Sequence, residues 1–286
     1  MSEIITKNSE ILFIYDAKMT NPNGDMDNEN KPRMDYDTDT NLVSDVRLKR
    51  YLRDYFEDVL NKGIFITEKA KDAKERATQL NKDKKNYTDL IDVRLFGAVF
   101  AVKDGNDHIT GPVQFNWGYS LNPVEINESS TITSSFSSRE GIGKDFRVKY
   151  SLIAFNGSIN ALSAKNSKLT DDDINEFDVT MLKAIPAAKT RSKIGQTPRI
   201  YLRIELDNSN KFLKDLREFL SLDYEIDDKF KARSVKDYKL NIKKLIDYLK
   251  NKPISKIYYW KDKEFKITGW DNFLNEFNGK LEEIKE

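Results

Sequence analysis

The 286-residue sequence contains no cysteine and a single histidine, His108. The absence of cysteine excludes a disulfide framework, a thiolate zinc site and a cysteine nucleophile. One histidine excludes a histidine-based metal cluster and argues against a Ser-His-Asp triad. We therefore expect a protein that binds no metal ion and no other cofactor.

Long apolar runs are also missing. A membrane-spanning helix needs about 18 or more consecutive apolar residues, and the sequence has no such run. Its first residues lack the basic and apolar regions of a signal peptide. These features predict a soluble cytoplasmic protein without a membrane partner.

The charges nearly cancel, since 48 Lys and Arg stand against 47 Asp and Glu. A net charge of +1 argues against a surface that is positive throughout. It does not exclude nucleic-acid binding, which needs only a local strip of positive charge. The distribution of the basic residues therefore matters more than their total.

Apolar periodicity predicts an α+β fold. The larger elements come in the order strand, helix, strand, strand, helix, strand, which is the βαββαβ order of ferredoxin-like and RNA-recognition-motif folds. The predicted elements are a strand at 11–15, a helix at 42–60 with Ser44 as N-cap, strands at 113–119 and 148–161, a helix from 169 with Thr170 as N-cap that Pro186 ends, and a strand at 199–206.

Other segments are less regular. Residues 92–102 suit a helix or a strand, and residues 127–147 suggest an exposed hairpin or arm. In the 199–206 strand, alternation predicts Ile200, Leu202, Ile204 and Leu206 inward and Tyr201, Arg203 and Glu205 outward. For the tail we predict helices at 211–220 and 234–250, then a hairpin of strands 254–260 and 265–268.

Basic residues cluster in the N-terminal half of the 42–60 helix, where Arg47, Lys49, Arg50 and Arg53 precede the acids Asp54, Glu57 and Asp58. The helix dipole favours the opposite order. A cation cluster near a helix N-terminus is favourable when an external anion binds there. The alternative is a solvated face whose charges are balanced by nearby acids.

A second basic segment covers residues 179–204, which contain no acid. Lys189, Arg191 and Lys193 follow Pro186 in a predicted loop, and Arg199 begins the next strand. Basic and hydroxyl side chains in a loop suit phosphate positioning without base readout. A basic loop that arose by chance is the alternative.

The predicted arm carries Arg139, Lys144 and Arg147. Its Gly-Ile-Gly-Lys sequence at 141–144 is not a phosphate-binding P-loop, because Ser138 and Asp145 occupy two required positions. A flexible linker is the alternative interpretation of this arm.

Asp35, Asp37 and Asp39 begin like a calcium loop, but Thr40 and Val46 fail at its sixth and twelfth positions. With the acids at 25–29 they leave open a metal-dependent endoribonuclease. A solvated acidic loop is the simpler interpretation. A third possibility is a non-catalytic module whose basic strips bind an acidic protein.

Several blocks at matching spacing closely resemble the backbone subunits of CRISPR Cascade complexes, in the type I-B branch of the seventh Cas protein family of the RAMP superfamily. The resemblance runs in order over about residues 9–206. The blocks are NPNGD at 21–25, PR at 32–33, LVSDVRLKR at 42–50, DVRLFGA at 92–98, GPVQF at 111–115, SLN at 120–122, TRSK at 190–193 and PR at 198–199.

This resemblance implies one elaborated RNA-recognition-motif-like domain over 1–286, called a palm, with inserted helical fingers and a protruding β-hairpin thumb. The implied parts are an RNA-wrapping loop at 19–41, fingers at 61–108, a thumb-like arm at 124–147 and a helical and hairpin extension at 207–286. Type III relatives cut RNA through a thumb-region aspartate, so a role for Asp145 stays open.

The resemblance also implies function: a non-catalytic subunit that stacks as a filament along crRNA and presents it to target DNA. Its partners would be crRNA, target DNA, further copies of itself and other Cascade subunits. The predicted RNA-binding residues are Asn21, Asn23, Gly24, Arg33, Ser44, Arg47, Lys49, Arg50, Arg53, Arg139, Lys144, Arg147, Lys189, Arg191, Lys193 and Arg199.

Overall fold

The structure is a computed structural model that describes residues 3–102, 105–127, 131–133 and 142–285. The apolar run at 11–15 forms part of its first strand. The α-helices are α1 (Asp45–Asp54), α2 (Ala73–Lys82), α3 (Ile91–Phe96), α4 (Ala161–Ser167), α5 (Asp171–Ala187), α6 (Lys243–Leu249) and α7 (Trp270–Glu276). The strands are β1 (Ser9–Thr20), β2 (Gly24–Asp25), β3 (Lys31–Pro32), β4 (Met34–Asp35), β5 (Thr40–Val43), β6 (Gly97–Val102), β7 (Gly105–Thr110), β8 (Val113–Phe115), β9 (Gly118–Ser120), β10 (Thr131–Thr133), β11 (Ile142–Lys144), β12 (Val148–Ile159), β13 (Gln196–Leu206), β14 (Ser221–Tyr224), β15 (Tyr238–Asn241), β16 (Ile254–Lys261), β17 (Ile267–Thr268) and β18 (Leu281–Glu283).

A large mixed sheet organises the molecule. Its strand order is β18-β16-β13-β1-β12-β9-β5-β4, and β8 also pairs with β12. β1 is central and antiparallel to both long neighbours, so that Ser9 lies opposite Ile159 and Thr20 opposite Val148. β16 and β18 pair in parallel. The α+β class predicted from periodicity is confirmed.

Both faces of this sheet are covered. α1 and α5 lie on one face over a core that includes Phe13 and Phe177, and the C-terminal segment covers the other face with side chains such as Leu245 and Phe273. The prediction that Tyr201 and Arg203 point outward to solvent was therefore wrong. Both are buried on the face that α5 covers, where Asp178 of α5 accepts hydrogen bonds from the two side chains.

Part of the described chain between residues 63 and 100 builds a small core of its own. Phe65, Leu80, Leu90, Val93 and Phe100 are buried together there. Residues 92–102, left open between helix and strand, are divided: α3 ends at Phe96 and β6 begins at Gly97. Gly97 has φ +76°, and β6 then pairs with β7 as a hairpin.

The helix N-caps follow the local prediction. Ser44 caps α1 by accepting from the backbone N–H of Arg47, and Thr170 caps α5 in a capping box with Asp173. The 42–60 helix begins later than predicted, because the residues of β5 pair with β4 and β9. It then continues as a π-helical turn over 55–59. Pro186 does not end α5, which runs one residue further.

The tail differs more from the prediction. The 234–250 region forms a turn and then β15 before α6, and the 211–220 region has a single 3₁₀ turn at 216–219. The predicted 254–268 hairpin does not form, since β16 pairs with β13 and β18 while β17 pairs with β15. In the arm, β10 and β11 pair in antiparallel fashion. No helix in the described part of the chain has the length and apolar character needed to cross a bilayer.

Candidate nucleic-acid interface

Three segments far apart in sequence meet beside the N-terminus of α1. They are the loop after β1, the start of α1 and the loop between α5 and β13. The backbone N–H of Asn21 donates to the carbonyl of Ser192 over 3.0 Å, and that of Lys18 donates to the carbonyl of Gly195 over 2.9 Å. The side chain of Thr20 also donates to the carbonyl of Ser192. The fold thus brings the second predicted basic segment to the loop after β1, and Arg47 of the first segment lines one groove with Lys189 and Lys193.

Asn23 joins the first of these loops to the helix. Its Oδ1 accepts hydrogen bonds from the backbone N–H of Ser44 at 2.8 Å and from its hydroxyl at 2.9 Å. Ser44 Oγ in turn accepts from the N–H of Arg47 at 3.2 Å. A helix N-terminus held in this way carries a partial positive charge that favours an anion.

A groove of about 700 Å³ runs between α1 and the loop after α5, and we call it the α1–α5 groove. Its lining includes the cations Arg47, Arg50, Lys69, Lys189 and Lys193, the acids Asp54, Glu57, Asp58 and Glu68, and the side chains of Tyr51 and Thr190. The three acids of α1 and its π-helical turn lie toward the C-terminal end of that segment. Arg47 lies in the first turn of α1, so the end of the groove nearest the N-terminus is positive.

Arg47 and Lys193 define that positive end. The Arg47 guanidinium lies 4.0 Å from the ring centre of Tyr51, and its buried Nε has no hydrogen-bond partner among the residues that the structure describes. Lys193 Nζ donates to the carbonyls of Asn21 at 2.5 Å and Pro22 at 3.2 Å. Burial, and then the charge of Arg47, lower the pKa of Lys193 to about 7. An anion between these two cations would relieve their repulsion.

Lys49 and Arg53 are oriented inward, although they belong to the same predicted cluster. Lys49 Nζ lies 3.1 Å from Asp45 Oδ2 and 3.0 Å from Gln114 Oε1. Arg53 Nε lies 3.0 Å from the buried carboxylate of Asp92. Since both side chains are buried and paired, the expectation that they bind phosphates does not fit the structure. The reason is that Asp92, Phe96 and Gln114 lie against this flank of α1.

Arg50 occupies an intermediate position. It is half-buried, lines the α1–α5 groove and forms an ion pair with Asp54 one turn later. Its guanidinium also lies 3.5 Å from Glu68. Its charge is therefore largely compensated within the chain.

The base of the arm is tied to the basic loop. Arg147 donates to Asp145 at 2.7 Å, to the carbonyl of Met19 at 2.9 Å and to the carbonyl of Arg191 at 3.2 Å. Exposed Arg191 adds a second ion pair to Asp145 at 3.3 Å. Asp145, the possible catalytic residue, thus lies between two guanidinium groups. Lys189, two residues before Arg191, is exposed and lines the α1–α5 groove.

The remaining predicted residues are spread more widely. Lys144 pairs with exposed Glu29, and Arg33 pairs with Asp25 at 3.2 Å. Gly24 begins β2, where an added Cβ would meet the Asn30 side chain. Arg139 lies outside the described residues.

The prediction that Arg199 binds RNA does not fit the structure. It pairs with Asp16 and Asp262, and Asp16 also accepts from Tyr150, whose side chain belongs to the core on the sheet face that the C-terminal segment covers. Arg199 is therefore remote from the α1–α5 groove, and both of its ionic partners are internal.

The acidic segment 35–39 forms a turn that its own side chains stabilise. Asp35 accepts from the N–H of Asp37 at 3.0 Å and from the hydroxyl of Thr38 at 2.8 Å. Among the described residues, no group of three or more His, Asp or Glu side chains is placed to hold a metal ion. The metal-dependent alternative therefore gains no support from the acids at 35–39.

Sequence reasoning missed Trp117. The alternation at 113–119 predicted that Trp117 is an ordinary strand residue. In the structure Trp117 lies between β8 and β9, with 43% of its surface exposed. The Arg33 guanidinium lies 5.8 Å from its ring centre. Its neighbours Asn116 and Gly118, two residues typical of strand interruptions, were the available signal.

Comparisons with known proteins agree with one another. The family model described as CRISPR-associated protein Cas7 matches residues 7–243. A CRISPR-associated protein Cas7 from Haloferax volcanii is 33% identical over 285 residues, covering 84% of this chain and 82% of the relative. A chain of a CRISPR RNA-guided surveillance complex in a pre-nicking state has a TM-score of 0.52 at 12% identity, over 91% of this chain and 95% of that chain. A second CRISPR RNA-guided surveillance complex gives 0.52 at 15% identity, over 91% and 93%.

Proposed function

Because the chain belongs to the CRISPR-associated Cas7 family, we propose that it is a crRNA-binding backbone subunit of a Cascade surveillance complex, of type I-B. Copies of the chain stack along the guide RNA in the cytoplasm, together with other Cascade subunits, and present the guide for pairing with target DNA. The observation that carries the proposal is the meeting of two basic segments, about 140 residues apart, at the capped N-terminus of α1.

The fold supports an RNA-recognition-motif-like palm. The adjacent strands β13, β1, β12 and β9 are antiparallel, with α1 following the first strand in sequence and α5 preceding the last. This matches the split βαβ arrangement, with β8 and β9 together as its second strand. We assign the fingers to 61–108, the wrapping loop to 19–41, the thumb to 124–147 and the C-terminal extension to 207–286. The separate small core supports the finger assignment, and the β10–β11 pair supports the thumb.

The backbone of the guide passes the positive end of the α1–α5 groove. Phosphates accept from Arg47 and from the first-turn amides of α1, with Lys189 and Arg191 on the opposite side. Such contacts hold phosphate and shape without reading bases, as a protein that accepts any guide sequence requires. The contact set is Asn21, Asn23, Gly24, Arg33, Ser44, Arg47, Arg50, Lys144, Arg147, Lys189, Arg191 and Lys193.

We further propose that the chain does not cleave RNA. Asp145 supports this, since its carboxylate already pairs with Arg147 and Arg191 and has no metal-ligating cluster beside it in the described residues. Incubation of the purified complex with labelled RNA and Mg²⁺ tests the point. Cleavage that disappears with EDTA would contradict it.

The main test is to express the chain with a CRISPR array and its neighbouring subunits, then size the particle and sequence its RNA. We expect uniform spacer-containing RNA with several copies of the chain. An RNA-free monomer, with the other subunits present and soluble, would contradict the proposal.

The phosphate contacts are tested by the variant Arg47→Ala, Lys189→Ala. It should weaken binding of every guide sequence and flatten the plot of log affinity against log salt concentration by about 0.7 per lost contact. Lys165→Ala is the matched control, because Lys165 is an exposed lysine on α4 at the opposite end of the sheet. An unchanged salt slope in the double variant would refute the assigned contacts.

A further inference from the structure

Trp117 combines a rigid backbone with an exposed side chain. Its N–H donates to Asn116 Oδ1 at 2.7 Å, and its carbonyl accepts from Arg217 at 2.7 Å. The Arg217 side chain is 2% exposed and is held by Asp215. The indole therefore projects from a fixed position instead of a mobile loop.

The position borders the proposed RNA surface. Gly118, the next residue, pairs with Val43, which directly precedes the N-cap Ser44. Arg33, whose guanidinium is beside the indole, donates its backbone N–H to the carbonyl of Asn23 at 3.0 Å. We call the N-terminus of α1, with Ser44, Arg47 and the loop residue Asn23, the α1 N-terminal site. Trp117 adjoins this site on two sides, through the Gly118–Val43 strand pair and through Arg33.

The other two tryptophans are placed differently. Trp270 stacks on Phe273 with ring centres 5.3 Å apart, and Trp260 packs against the core beneath α1 and α5. Both are partly buried, whereas Trp117 is exposed. An exposed indole beside a cation, at the edge of a phosphate site, has the chemistry of a base-stacking platform.

We propose that Trp117, with Arg33 beside it, stacks on a nucleobase of the RNA whose phosphates occupy the α1 N-terminal site; this rests on the proposed function. Stacking tolerates every base because each has a π face, so it adds affinity without restricting the guide sequence. The contact is not ionic, and it therefore contributes nothing to the salt dependence.

The test uses the assembled complex and a set of guide RNAs, each of which carries an abasic nucleotide at the same position of every subunit's footprint, with that position varied from one RNA to the next. On intact RNA, Trp117→Ala should weaken binding about 5- to 150-fold for each copy of the chain that is bound, with an unchanged salt slope, and Trp117→Phe should restore most of the loss. One abasic position should remove the difference between wild type and Trp117→Ala. Equal thermal stability of the three proteins shows that folding is intact.

Two outcomes would overturn the inference. Unchanged affinity of Trp117→Ala for intact RNA would mean that no base stacks there. A loss of equal size on every abasic RNA would mean that Trp117 packs against protein, for example a neighbouring copy. Failure of the wild-type complex to bind any RNA would instead refute the proposed function, so the two failures are distinguishable.

Discussion

The buried pair Arg53–Asp92 decides whether the basic cluster of α1 serves the fold or the RNA. The two side chains are 7% and 1% exposed, and the Asp92 carboxylate also accepts from the N–H groups of Phe65 at 2.7 Å and Ile66 at 3.1 Å. Asp92→Asn keeps the shape but leaves Arg53 charged and unpaired. Removing one partner of a buried pair costs about 3–5 kcal/mol. That is a large part of the roughly 5–15 kcal/mol by which a domain is stable.

Urea unfolding of the chain measures this loss of free energy. The control is Lys62→Ala, which removes an ion pair to Glu176 whose side chains are 45% and 28% exposed. Such a surface pair contributes about 0–1 kcal/mol. A smaller loss for Asp92→Asn than for Lys62→Ala would refute the reasoning. So would an Arg53→Met protein with an unchanged urea midpoint and a flattened salt slope for RNA, since Arg53 would then face the RNA.

Two more predictions concern buried or strained positions. Burial raises the pKa of Glu10 from 4.5 to about 8 in the folded chain, so its stabilising effect is complete below pH 4.5 and is lost as the pH rises through about 8. Between pH 5 and 9 the ionisation of Glu10 should lower the free energy of unfolding by up to about 1.4 kcal/mol per pH unit. The melting temperature should therefore fall less steeply with pH in Glu10→Gln than in the wild type, and an identical pH profile would contradict this. Gly195 has φ +102°, and an added Cβ would lie 2.5 Å from the carbonyl of Lys18. Gly195→Ala should lower the free energy of unfolding in urea by about 1–3 kcal/mol. Gly279→Ala is the control and should lower it less, because Gly279 has φ +88° but no atom within 4 Å of an added Cβ. An equal effect of the two variants would show that no clash occurs at Gly195.

Local signals were reliable where the responsible interactions are local. Ser44 and Thr170 cap their helices because a hydroxyl and the N–H three residues later are neighbours in any such turn. The sequence also supported the family, since blocks such as NPNGD and LVSDVRLKR recur at family-like spacing. The two basic segments were recognisable from composition alone.

Which of those basic residues face solvent was not recognisable. Lys49 and Arg53 flank the apolar stripe of α1, and a flanking residue is exposed or buried according to what packs beside it. Asp92, almost forty residues later, pairs with Arg53 and closes that side. Arg203 was misassigned for the same reason, because its partner Asp178 comes from another element.

The tail shows the same limit for secondary structure. The 234–250 segment has a helical pattern throughout, yet its first part pairs with β14 as β15. Strand pairing joins distant residues, so no local window contains its energy. The sequence by itself thus determined the helix caps, the central apolar strand, the basic segments and the family. Tertiary structure alone decided which charges are paired and buried, and that Trp117 is exposed beside the α1 N-terminus, because these depend on residues that only folding brings together.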